Sequence, residues 1–130
     1  MTRPNYSIVA GHLQTLLKLS ASGKPFIMTA TGFHSTWHGA NMDPQFREKL
    51  AAFLIGRGPH AYYGPSDLYD GMAVPNMSYP ELRLDLGGAP LDNGHVVAGT
   101  SHAFERRFPS YTVRLNCSGF SASFTPTRAA

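Results

Sequence analysis

Six histidines and one cysteine are the side chains of this 130-residue chain best able to do chemistry near neutral pH, and their spacing narrows what that chemistry could be. His34 and His38 stand at i, i+4, the separation at which two imidazoles on one helix reach the same metal ion. The residues between them, Ser35, Thr36 and Trp37, form helix poorly, and no Glu follows His34 as a zinc protease requires. The pair therefore reads as polar residues at a strand end, and no metal is expected. Cys117 lies in Leu115-Asn116-Cys117-Ser118 with no cation or helix start to lower its pKa, so it reads as a small core or turn residue. Glu105, Arg106 and Arg107, close to His102, hold the acid, base and charge clamp that phosphodiester cleavage needs. A small metal-independent RNase-like enzyme built on them would bring His34, His102 and Arg106 into one cleft. The plainer reading is a salt-linked surface.

The elements that must position these residues follow from composition. With 42% hydrophobic and 15% charged residues the chain is expected to fold as a single domain, residues 1–130, around a buried core. Thirteen Gly and ten Pro argue against a helical bundle and for a turn-rich, mainly β fold with minor α content. Eleven basic and eight acidic side chains give a net charge of +3, yet Arg106-Arg107 is the only adjacent basic pair, so no stripe for a nucleic-acid backbone is present. A lone cysteine rules out an internal disulfide framework and makes a reduced, cytoplasmic setting the expectation. No stretch approaches the roughly 18 apolar residues of a membrane span, and the N-terminus shows no apolar leader, so a soluble, unprocessed protein is expected.

Along the chain, Tyr6 to Leu19 places Val9, Leu13, Leu16 and Leu17 at helical spacing but also carries Ile8, Thr15 and Gly11; helix and strand stay open, with local propensity slightly on the side of helix. Ser20 to Pro25 is a turn cluster and Phe26 to Thr31 a strand, which makes a hairpin an option. Asp43-Pro44 marks a helix start, with Phe46, Leu50 and Phe53 trailing on one side, and Ala51 to Ile55 either closes that helix or opens a buried strand. Glu81 to Leu86 alternates with period two, predicting a strand with Leu82, Leu84 and Leu86 inward. Gly87-Gly88 and Asp92-Asn93-Gly94 are turns, His95 to Glu105 reads as strand then short helix, Tyr111 to Leu115 as strand, and Thr125 to Ala130 as a frayed tail.

One segment is different in kind. Gly58-Pro59-His60-Ala61-Tyr62-Tyr63-Gly64-Pro65-Ser66 couples two prolines, two glycines and an aromatic pair in fixed order, and it resembles the strand-and-turn motif of the PaiB-like FMN-binding proteins of the flavin split-barrel superfamily. Gly11-His12-Leu13-Gln14, Gly32-Phe33-His34, Ala40-Asn41, Gln45-Phe46-Arg47 and Val74-Pro75-Asn76-Met77-Ser78-Tyr79 are similar to further motifs of that family in the same order, over about 80 residues from Gly11 to Leu91. The resemblance implies an antiparallel split β-barrel with one or two short helices, with strands near Tyr6 to Lys18, Phe26 to Ser35 and Ala51 to Tyr63, which replaces the helical leaning of the first segment. It further implies FMN at a homodimer interface and a flavin-dependent oxidoreductase or flavin-linked regulator. Arg47, Ser66, Thr15 and Asn41 would then be phosphate or ribityl partners, and His12, His34, His60 and Tyr62 ring or substrate contacts. Met77 and Ser78 stand where the family motif has Trp and Asn, which favours the alternative of a flavin-free barrel acting as a ligand- or protein-binding module.

Overall fold

The computed structural model describes residues 6–30, 46–65 and 80–127. Tyr6–Ala21 forms helix α1. Ala10 and Leu13 are buried and Leu16 and Leu17 half-buried on one face, while Gly11, His12, Gln14, Thr15 and Lys18 lie exposed on the other. Leucines at helical period outweigh the two β-branched residues near the start, so the strand implied by the family resemblance is corrected to helix. The helix stops at Ser22-Gly23, where the Ser22 and Gly23 N–H groups donate to Lys18 O (3.1 Å) and Ser20 O (3.1 Å) and Gly23 takes the left-handed φ of 71° that glycine adopts without penalty.

Strand β1, Phe26–Ala30, pairs with β2, Ala61–Pro65, in parallel, Phe26 opposite Ala61 through Ala30 opposite Pro65. Parallel neighbours need a long crossover, and helix α2, Phe46–Gly56, lies in this one. Segment 51–63 is therefore strand only from Ala61, and the hairpin option for the first segment falls with α1. Leu50 through Ile55 are buried without a break, because α2 is covered by the sheet on one side and α1 on another. Unbroken burial hides helical periodicity, which is why this stretch reads equally as a buried strand. The Asp43-Pro44 cap lies outside the described residues.

The second sheet is an antiparallel meander in the order β3 (His95–Val96), β4 (Ala103–Arg107), β5 (Tyr111–Asn116) and β6 (Ser121–Pro126). It is open, and the molecule is a mixed fold with a substantial sheet and two long helices. Phe104, Val113, Leu115, Ala122 and Phe124 pack with α2 in the core, joined by Phe108 and Cys117. Two further expectations change. His95 to Glu105 holds two strands and no helix, because a turn at Gly99 (φ 81°) folds the chain back and Val97 N donates to Ala103 O at 2.8 Å. Glu81 to Leu86 is no strand: Pro80, with its preset φ, opens a 3-10 turn, Pro80–Arg83, beyond which Leu84 and Leu86 are half-buried and Asp85 exposed. Tyr111 to Leu115 is a strand as expected, and the tail stays paired to Pro126.

Among the described residues one charged side chain enters the core. Arg106, 6% exposed, projects from β4 toward α2. Its Nη1 donates to Leu54 O (3.2 Å), Ile55 O (3.4 Å) and Arg57 O (2.6 Å), and its Nε to Asp92 O (2.9 Å). The last carbonyls of a helix have no intrahelical donor. Arg106 supplies one, places positive charge at the negative end of the helix dipole, and ties α2, β4 and the Asp92–Gly94 turn together.

Candidate functional site

The residues that the resemblance implies as cofactor partners fall in several places. His12 and Thr15 are exposed on α1, where Thr15 Oγ1 donates to Gly11 O at 3.0 Å, satisfying its own helix. His60 is exposed just before β2, and Tyr62 stands on β2 opposite Ile27. His34, Asn41 and Ser66 lie outside the described residues, as does His38 of the histidine pair. Arg47, in the first turn of α2, lines a groove.

That groove has a volume of about 290 Å³ and is walled by Arg47, Glu81, Leu84, Tyr111, Phe124 and Pro126. Phe124 and Pro126 come from β6, Tyr111 from the start of β5, Glu81 from the 3-10 turn, and Leu84 from the segment after it. The Arg47 guanidinium carbon stands 5.3 Å from the centroid of the Phe124 ring, within cation–π range. An aromatic and proline floor, one cation and one carboxylate is the composition of a small-ligand site, and the volume is at the low end of such pockets, which start near roughly 300 Å³. Sequence reading missed Tyr111, Phe124, Glu81 and Leu84. Phe124 was within reach, because the alternation Ala122, Phe124 among Ser121, Ser123 and Thr125 places it inward.

A second polar assembly lies along β3, β4 and β5, where the register sets His95 opposite Glu105 and Glu105 opposite Arg114. His95 Nδ1 is 3.0 Å from Asn93 O, and its Nε2 is 3.2 Å from Glu105 Oε1. Arg114 Nη2 is 3.5 Å from Glu105 Oε2. A ring with acceptors at both nitrogens is best served as the cation. The Asn93 carbonyl first, against desolvation, and then Glu105 and Asp92 hold the His95 pKa above its usual value. Asp92 moves the other way: burial alone would raise it, but the Arg107 N–H (2.9 Å) and Nε (3.0 Å) donate to its carboxylate and hold its pKa low.

A raised histidine pKa means that the folded state binds the proton more tightly than the unfolded chain. The stability it contributes is complete below the unfolded value of about 6.5 and is lost as pH rises through the folded value. Melting followed from about pH 6 to 8 should show this decline, and His95→Gln should flatten it. The ring is 44% exposed, so the slope should be shallow and shrink with salt. An equal slope in the variant would show that another group titrates.

Of the trio for phosphodiester cleavage, His34 is outside the described residues, and Arg106 is buried with its Nε and Nη1 on backbone carbonyls, away from the surface on which that reading placed it. Cys117 is fully buried, and burial pushes its thiol pKa up to about 11, in keeping with a core residue. Among the described residues no three His, Cys, Asp or Glu side chains converge on a possible metal position, and no helix is long and apolar enough to cross a membrane. Compared with family models and with curated proteins, the chain matches none.

Proposed function

We propose that the protein is a small-molecule-binding module whose groove takes a planar aromatic ligand bearing an anionic group, with FMN the member of that class to which the motif resemblance points. The observation that carries this reading is the Arg47 guanidinium poised over Phe124 at a groove otherwise walled by Tyr111, Leu84 and Pro126. A ring entering there lies against aromatic and proline surface, with Arg47 beside it for the anionic arm and Glu81 to accept from a ring N–H. At about 290 Å³ the groove holds a ring-sized body and leaves the rest of FMN in water, so affinity should be modest. A bound flavin would supply hydride chemistry at its own ring; the chain's part is to bind and orient it.

Quenching of flavin fluorescence on titration tests this reading. Arg47→Ala and Phe124→Ala should each weaken FMN about five- to ten-fold, the worth of one charge or stacking contact, without loss of the far-UV circular dichroism of the fold. Affinities unchanged in both variants would remove the groove as the site. A protein that ignores FMN yet binds another planar anion with the same dependence on Arg47 and Phe124 would be the flavin-free module.

A further inference from the structure

Where the ends of α1 and α2 and the Asp92–Gly94 turn meet β4, the fold leaves a notch of about 90 Å³ whose lining includes Leu17, Ser20, Ile55, Arg57, Asn93 and Arg106. Among the described residues that line it, two are arginines and none is an aspartate or glutamate. Buried charges are ordinarily paired with an opposite charge. Arg106 is buried, yet the hydrogen bonds of its Nε and Nη1 all go to neutral backbone carbonyls. Asp92, which Arg106 reaches through the backbone oxygen, turns its carboxylate to Arg107 instead. Arg57 forms no ion pair among the described residues; its guanidinium stands 5.9 Å from the Phe108 ring centroid. The notch thus gathers two positive charges around a volume equal to roughly three waters at about 30 Å³ each, enough for one tetrahedral oxyanion.

We propose that this notch binds a small tetrahedral oxyanion, inorganic phosphate or the phosphate of a monoester, between Arg57 and Arg106. The negative end of the α2 dipole is offset by Arg106, which caps those carbonyls and also lines the notch. Burial first, and then the charge of Arg57, lower the Arg106 pKa, with the Asp92 carboxylate offsetting part of this, and an anion between the two arginines would offset more. The site is separate from the groove at Arg47, with which it shares no lining residue.

The test is the melting temperature of the full chain titrated with sodium phosphate against sodium chloride of equal ionic strength. Phosphate should raise it with the logarithm of its concentration once that exceeds the dissociation constant, by about 5 °C at roughly ten times that constant, where chloride does not. Arg57→Gln should abolish that increment while melting near the parent temperature in chloride, and Arg57→Lys, which keeps the charge, should retain part of it. Arg47→Ala should leave it intact. The proposal is overturned if phosphate acts no differently from chloride, if Arg57→Gln keeps the full increment, or if Arg47→Ala removes it. Sulfate matching phosphate would support a general oxyanion site, and a monoester binding more tightly than either would identify the covalent form of the ligand.

Discussion

Replacing Arg106 with methionine is expected to lower the unfolding free energy by about 3 kcal/mol. Methionine fills much of the space and removes the cost of burying a charge, but it leaves the carbonyls of Leu54, Ile55, Arg57 and Asp92 without the donor that now reaches all four. An unpaired buried carbonyl costs about 1–3 kcal/mol, and at least two of these belong to the covered end of α2. The loss should appear in urea titrations as a lower midpoint with an unchanged slope, and in melting as a drop of roughly 10 °C. Arg106→Lys keeps charge but cannot reach all four oxygens, so it should fall between. A cost below about 1 kcal/mol for Arg106→Met would mean that water replaces the guanidinium at those carbonyls.

Gly94→Ala should cost a similar amount for a different reason. A Cβ at Gly94 would strike the carbonyl oxygen of Ile55 and meet Ile55 Cγ2 at 2.8 Å and Leu17 Cδ2 at 2.9 Å. Backbone on one side and a fully buried side chain on the other cannot both yield, since Arg106 holds the same carbonyl from β4. Overpacking of this kind typically costs about 1–3 kcal/mol, and the upper end is expected because a backbone atom is struck. Gly11→Ala is the matched control. No atom lies within 4 Å of its added Cβ, and it sits in the exposed face of α1, so alanine should stabilise by about 0.5–1 kcal/mol. Equal effects of the two substitutions in urea titrations would contradict the close approach at Gly94.

How legible each part was depended on how many residues carried its signal. Tyr111 to Leu115 alternates cleanly and forms β5 with Val113 and Leu115 buried. Tyr6 to Leu19 carried a helical signal in its leucines, and four residues, Gly11 to Gln14, were set against it; a four-residue motif spans barely one helical turn and cannot report the period of its surroundings. Glu81 to Leu86 alternates as a strand would, yet three leucines in six residues also suit a 3-10 turn running into an extended arm, and Pro80 decides between them. Arg106 was read with its charged neighbours as surface. The alternation Phe104, Arg106, Phe108 puts it inward, a signal available in the sequence but overridden by the usual exposure of arginine. Both candidate sites depend on residues distant in sequence, Arg47 with Phe124 and Arg57 with Arg106, which the packing of α2 on the sheet brings together. Nothing in local spacing announces such pairs.

Amide chemical shifts followed during titration with FMN test, residue by residue, whether a planar anionic ligand sits in the groove between α2 and the sheet. Saturable shifts are expected at Arg47, Glu81, Leu84, Tyr111 and Phe124, with His12 and Thr15 on the exposed face of α1 unmoved. Saturable shifts gathered at His12, Thr15 and His60, with the groove silent, would contradict that placement and return the flavin site to the positions that the family resemblance implied.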